Sequence, residues 1–326
     1  MYDVIMIFGS RETAKTKGMI LADDIALSEG QALSKGTVLG PQDIARLIMA
    51  NIKEITVAEL EPHDIDAPGA ALKIAQAMVS HPDDSMVRIV VGTRGCVRLV
   101  ANVAGIVGID TAALARMNMV EGVISVVTLP QLYRVAKGDD IAVINIVSYG
   151  VKRSSVGRVV AEAHDVIYVR GVIARTASLV QTVGHGAPDP RGESEVRMRL
   201  DRLGVRLIQS NLVPHNTESL AEAIVGVEGD VLFIMTATPT EDIDDVAPRA
   251  VVAAGGVITR FGLPAHPGSQ LFAGGLGAMP ILGLPDCARD SAYCGADWII
   301  ERLLCGVSIT DDDIARMSVG GLTQPR

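Results

Sequence analysis

The stretch GVITRFGLPAHPGSQLFAGGLGAMPILGLP, residues 256–285, decides how this chain is read. Glycine stands at Gly256, Gly262, Gly268, Gly274, Gly275, Gly277 and Gly283, and proline at Pro264, Pro267, Pro280 and Pro285. Two short apolar runs, residues 271–273 and 280–284, lie between them. The pattern predicts two strands and two tight loops whose backbones come very close to something, because glycine has no Cβ to block contact. The glycines bracket the strand ends, where open α/β sheets bind ligands.

Working outward, residues 161–308 alternate strand and helix. Strands are expected at 165–171, 175–184, 205–213 and 230–237. Helices are expected at 194–204, 217–226 with Thr217 as cap, 242–256 and 295–306. This alternation predicts an α/β domain with a doubly wound, mostly parallel sheet. Smaller mixed α+β modules precede it: an N-terminal mixed module at 1–82 and a small β-rich one at 83–160. In the first, a helix opens near Asp43 and Ile44 after Pro41, Asn51 breaks it, and 52–58 is a strand. A second helix spans 66–80. In the second module, MVRIVVG, GVISVVTLP and DIAVINIVSYG read as strands. IDTAALARMNMV reads as a helix capped by Asp110 or Thr111. Residues 309–326 form a tail with one short helix.

Composition bounds the class. The chain has 326 residues, 48% hydrophobic, 21% charged and 3% aromatic, so a large core of aliphatic residues is available. A net charge of -9 without a long basic run argues against nucleic acid as partner. No run reaches the length of a membrane span, and the N-terminus lacks the pattern of a signal peptide, so a cytoplasmic setting is expected. Four cysteines, Cys96, Cys287, Cys294 and Cys305, have neither disulfide-framework nor zinc spacing.

In a doubly wound sheet, the loops after successive strands meet at one edge. Residues 182–194, 236–245, 264–270 and 285–291 are such loops, rich in Gly, Pro, Ser, Thr and acids. They nominate Thr182, Gly184, His185, Thr236, Thr238, Thr240, His266, Gly268, Ser269, Asp286 and Ser291 as ligand contacts. The acids Glu241 and Asp242 are candidates for a catalytic or Mg²⁺ contact, while Asp244 and Asp245 complement a helix dipole. His185, His215 and His266 have no metal-ligand spacing, so no metal site is expected. His266 is the best placed of the three to meet an anion, the alternative being packing between its flanking prolines. Cys287 and Cys294 flank a loop-to-helix junction, either as a reactive thiol or as small core residues. No GxSxG, P-loop or GxGxxG pattern occurs.

The run LPAHPGSQLFAGGLGAMPILGLP resembles the molybdopterin-binding domain of the molybdopterin molybdenumtransferases and their relatives. Pro267 and Gly268 match the PG of that family's KPGKP loop, and Gly283, Leu284 and Pro285 match the GLP of its GLPGNP loop. Residues 230–246 sit where the family has a Gly/Ser-rich loop with an acidic end. The segment KGTVLGPQDIARLIMANIKEITV resembles the stretch preceding that domain. LPDCARDS, GADWIIERLL and DDIARMSVGGL are similar to molybdopterin-binding proteins that precede a cytidylyltransferase-like domain in longer chains. No nucleotidyltransferase domain follows here, so transfer of CMP by this chain alone is not expected.

The resemblance implies molybdopterin or molybdenum cofactor as ligand, with Mg an additional option. It also implies a nucleotidyltransferase or molybdoenzyme maturation factor as partner. The departures are specific. The two family lysines are His266 and Ser269 here, the GNP positions are Asp286, Cys287 and Ala288, and the double glycine is replaced around Ala237, Thr238 and Pro239. Two functions of different class follow: a carrier or maturation factor that holds the pterin, and a divergent molybdenumtransferase using Glu241 or Asp242 with Mg²⁺. A third is a structural protein that kept the fold and lost the ligand. Oligomeric state is left open, a homo-oligomer being among the arrangements the sequence allows.

Overall fold

The computed structural model describes residues 6–27, 31–93, 95–184, 189 and 191–322. The chain divides into two compact units, one of residues 1–103 and 107–169, the other of residues 104–106 and 170–326. Among the described residues, no helix is long and apolar enough to cross a membrane.

The first unit has two apolar cores. The smaller gathers Leu21, Leu33, Leu39, Leu47, Ile55 and Val57. Leu47 comes from the helix Pro41–Met49, whose start is closed by the Gly40 N–H donating to Asp43 at 3.0 Å. That helix stops where Asn51 takes a φ of 58°, a left-handed conformation that asparagine tolerates. The strand expected next is Glu54–Leu60, paired antiparallel with Met6–Glu12.

The larger core lies under a four-stranded antiparallel sheet. Its order is Ile124–Thr128, Asp140–Ile146, Cys96–Ala101 and Val87–Val91. Helices Ala67–Met78, Thr111–Val120 and Arg153–Glu162 contribute to the same core. Asp110 caps the middle one, accepting from the N–H groups of Ala112 and Ala113 at 3.0 and 2.9 Å. The Cys96–Ala101 strand and the Arg153–Glu162 helix were not among the elements expected from sequence.

The second unit is built on one six-stranded sheet. Its order is Arg206–Pro214, Thr176–Val183, Val231–Met235, Met279–Leu284, Phe272–Leu276 and Val257–Phe261. The first four strands run parallel and the last two pairings are antiparallel, so Phe272–Leu276 runs against the other strands and the sheet is mixed rather than parallel throughout. The antiparallel end arises because the chain turns back at once through Gly277 and Ala278. Gly277 has a φ of 58°, the conformation required at the first central position of a two-residue hairpin loop. The strands expected at 230–237 and 280–284 are neighbours, with Leu232 opposite Ile281 and Met235 opposite Leu284. Ile167–Gly171 is a strand as expected, but it belongs to a separate three-stranded sheet.

Period-2 alternation sorts the strand side chains between two cores. Ala177, Leu179, Val231, Phe233, Met235, Leu282 and Leu284 pack with the helices Arg191–Asp201, Gly295–Leu304 and Asp311–Arg316. Val180, Leu232, Ile234 and Ile281 pack with Thr217–Val225 and Val246–Ala253. The sheet is therefore covered by helices on both faces.

Two glycines of the 256–285 stretch meet neighbouring strands. A Cβ on Gly283 would overlap the ring of Phe272, and one on Gly274 would overlap the Val257 carbonyl. Phe272 is buried, 1% exposed, so its ring has little room to move. We expect Gly283→Val to destabilise the protein by ~1–3 kcal/mol, the usual cost of overpacking a filled core. A denaturant titration checks this; an unchanged midpoint would mean that the ring yields without cost.

Candidate functional site

The site follows from the strand order. From Thr176–Val183 the chain crosses through Arg191–Asp201 on one face to Arg206–Pro214, then through Thr217–Val225 on the other face to Val231–Met235. The order thus reverses between Thr176–Val183 and Val231–Met235, and a crevice opens at their carboxyl ends. A cavity of about 570 Å³ occupies this place. Its wall comprises Gln181, Thr182, Val183 and Gly184 from the first strand end, and Leu212 and His215 from the next. Ala237 and Thr238 follow Val231–Met235; Asp189 and Arg191 open the Arg191–Asp201 helix, and Asp286, Arg289 and Asp290 follow Met279–Leu284. The volume falls within the range of small-molecule sites, roughly 300–1,000 Å³.

Thr182 organises the floor. Its Oγ1 accepts from the Ala237 N–H at 2.8 Å and shares a hydrogen bond with His215 Nδ1 at 2.8 Å. The other ring nitrogen of His215 lies 3.3 Å from Thr238 Oγ1. One histidine therefore ties three strand ends together. Gly192 packs beneath: a Cβ there would overlap the Gln181 amide oxygen and lie 2.8 Å from both Arg289 Nη1 and Met235 Sδ.

The charges on the wall are paired. Arg191 donates from Nε and Nη2 to the two oxygens of Asp189, at 3.2 and 2.9 Å, and its Nη1 is 3.5 Å from Asp290. Arg289 donates from Nε to Asp286 at 3.1 Å and from Nη2 to the Thr236 carbonyl at 2.7 Å. The hydrogen-bonded Arg191 guanidinium holds Asp189 below its ordinary carboxylate value. A depressed carboxylate contributes stability above its unfolded pKa, and the contribution is lost as pH falls through the lowered value. Among the described lining residues, two arginines face three aspartates, an excess of one negative charge between them.

The 286–292 segment is held from behind by a buried arginine. Arg199 uses all five of its N–H groups. Nε donates to Asp297 at 2.9 Å; Nη1 donates to the Glu195 and Ala288 carbonyls at 3.3 and 3.0 Å; Nη2 donates to the Asp290 and Ala292 carbonyls at 2.9 and 3.2 Å. The other Asp297 oxygen accepts from the Cys294 N–H at 2.8 Å.

The structure brings several of the residues expected from sequence into one place. Thr182, Gly184, Thr238 and Asp286 line the cavity. Thr236 presents its carbonyl to Arg289 and its hydroxyl to Thr240, at 3.2 Å, just behind the wall. His185 lies outside the described residues. His266, Gly268, Ser269 and Ser291 are not in the cavity lining. Gly268, with a φ of 120°, packs on the start of the Gly295–Leu304 helix, where its Cβ would be 3.1 Å from the Gly295 nitrogen. Glu241 and Asp242 are also outside the lining; an Asp242 oxygen accepts from the Asp244 N–H at 2.8 Å. Among the described residues, no group of three or more His, Cys, Asp or Glu is arranged to hold a metal ion.

Arg191 and Arg289 were not singled out from sequence, and His215 was named only as lacking metal-ligand spacing, not as part of the site. One signal could have found the arginines: each is the sole arginine or lysine of its loop, TVGHGAPDPRGES and PDCARDS. Replacing Arg199 would test how the wall is held. Arg199→Met leaves Asp297 buried without its cation, and we expect a loss of roughly 3–5 kcal/mol. Adding Asp297→Asn should recover part of it. Denaturant unfolding of both variants checks the pair; a single variant as stable as wild type would contradict this role.

No family model matches the chain, and no curated protein matches it. Among solved structures, it is similar to a molybdenum cofactor biosynthesis protein from Pyrococcus furiosus, at 12% identity and a TM-score of 0.27, over 93% of this chain and 66% of that one. It is also similar to the molybdopterin biosynthesis moea protein from Pyrococcus horikosii, at 12% identity and a TM-score of 0.31, over 95% of this chain and 76% of that one. The chain spans just under two thirds of the length of the first of these.

Proposed function

We propose that the second unit binds a molybdopterin-type pterin in the cavity at the strand ends, and that the chain serves as a carrier or maturation factor in molybdenum cofactor biosynthesis. The observation that carries this reading is the wall itself, with arginine and aspartate side chains interleaved around one pocket at the reversal of strand order. A pterin presents adjacent N–H donors on its 2-amino-4-oxo edge, which a carboxylate accepts in pairs. Its phosphate suits a guanidinium, which binds such groups bidentately. Asp286 or Asp290 would take the ring edge, and Arg191 the phosphate through the Nη1 that is not bonded to Asp189.

The resemblance of residues 263–285 to the molybdopterin-binding loops supports the same ligand, since Pro285 leads directly into Asp286. The charge balance favours a carrier over a molybdenumtransferase. Insertion of an anionic oxometalate calls for a free cation or metal at the reacting centre. Here both guanidiniums of the described wall are bonded to carboxylates, and Glu241 and Asp242 lie away from the cavity lining. A nucleotidyltransferase or a molybdoenzyme maturation factor is the partner that such a carrier would serve.

Pterin released from the purified, denatured protein, followed by fluorescence and mass analysis, tests the reading. We expect a pterin from wild type, and an affinity at least ~10-fold weaker in Arg191→Met, matching one lost hydrogen bond to a charged group. Wild type that neither carries nor binds a pterin would overturn the proposal.

A further inference from the structure

Cys287 and Cys294 lie with their sulfurs 2.9 Å apart, and both are free thiols. Neither position is loose. Cys287 sits in the short helical turn Asp286–Arg289, and Cys294 is the residue that opens the Gly295–Leu304 helix. Arg199 fastens the carbonyls of Ala288, Asp290 and Ala292 between them, and Asp297 fastens the Cys294 N–H. The two sulfurs are thus held against each other by hydrogen bonds of their flanking backbone as well as by the one between them.

We infer that Cys287 and Cys294 form a reversible intramolecular disulfide that fixes the cavity wall. The segment that the disulfide would close contains Arg289 and Asp290, and Asp286 adjoins it; all three line the cavity. The inference stands on the thiol geometry and does not depend on which ligand the cavity takes.

The two sulfurs share a hydrogen bond, Cys287 donating to Cys294. Cys294 is held down because it accepts the S–H of Cys287 and a backbone N–H at the helix start, while Cys287, the donor, is pushed up. Cys287 is partly exposed and Cys294 is buried, so a peroxide reaches the touching sulfurs from the Cys287 side. With a peroxide as oxidant, the Cys294 thiolate attacks one peroxide oxygen, the O–O bond breaks, and hydroxide leaves to take up the proton that Cys294 had lost. The Cys287 sulfur then attacks the resulting sulfenic sulfur. The S–S bond forms as the S–O bond breaks, and the Cys287 proton leaves with that oxygen as water. Two electrons pass from the thiols to the peroxide, and an external thiol reverses the step by exchange. The buried Cys305, in contrast, is pushed up to about 12, which leaves it without thiolate at neutral pH.

Hydrogen peroxide added to the intact protein, with thiols counted after denaturation, tests this. Wild type should fall from four free thiols to two, with peptides containing Cys287 and Cys294 joined and two hydrogens lighter, and a dithiol should restore all four. A Cys96→Ser/Cys305→Ser variant should lose both of its remaining thiols, and Cys287→Ser should form no intramolecular link. Amide hydrogen exchange across 286–294 should slow several-fold on oxidation. Over-oxidation of single sulfurs, or links only between molecules, would overturn the disulfide. Unchanged exchange in the linked protein would overturn its effect on the wall. Peptide mapping of wild type needs no variant, so a substitution that fails to fold does not blunt the test.

Discussion

The candidate site depends on one buried guanidinium. Arg199 joins the Arg191–Asp201 helix, the 286–292 segment and the Asp297 carboxylate at the start of Gly295–Leu304, with every N–H group engaged. Burying a charge at 4% side-chain exposure is costly unless it is paired and fully hydrogen-bonded, and here it is both. The consequence is geometric. The helix that Arg199 belongs to also presents Arg191 to the cavity and packs Gly192 beneath it, and the carbonyls Arg199 binds include those of the segment carrying Asp286, Arg289 and Asp290. Two walls of the cavity are thereby set against each other by one side chain.

The sheet supplies the other constraint. Parallel strands buried on both faces leave polar chemistry only at their ends, and the reversal of order between Thr176–Val183 and Val231–Met235 leaves a gap there. Thr182 and His215 close the bottom of that gap by hydrogen-bonding across three strand ends. Above them, arginine–aspartate pairs provide donors and acceptors in near balance. Such a wall suits a ligand with both N–H donors and an anionic group better than a simple polyanion.

The alternating architecture was legible because it rests on local signals. Val231–Met235 reads as a strand from its unbroken apolar run, and Asp110 announces its helix by capping it. The loop ends at 182–184, 236–238 and 286 were legible for the same reason, being polar breaks after apolar strands. The long-range pairings were not. Arg199 sits in SEVRMRLDRLG, whose three arginines look alike until the fold buries one of them. The glycines at 274 and 283 signalled close approach correctly, but the approaching groups are Val257 and Phe272, strand neighbours that sequence spacing does not reveal. The Arg153–Glu162 helix escaped notice because its polar first turn hides Val156 and Val159, which only the core identifies.

The most direct measurement is to follow backbone amide resonances while a pterin is titrated into the intact protein. The account predicts saturable shifts concentrated at Gly184, Arg191, Ala237, Thr238 and Asp290, with residues 266–269 little affected. Shifts centred on 266–269 and absent from the strand ends would contradict it.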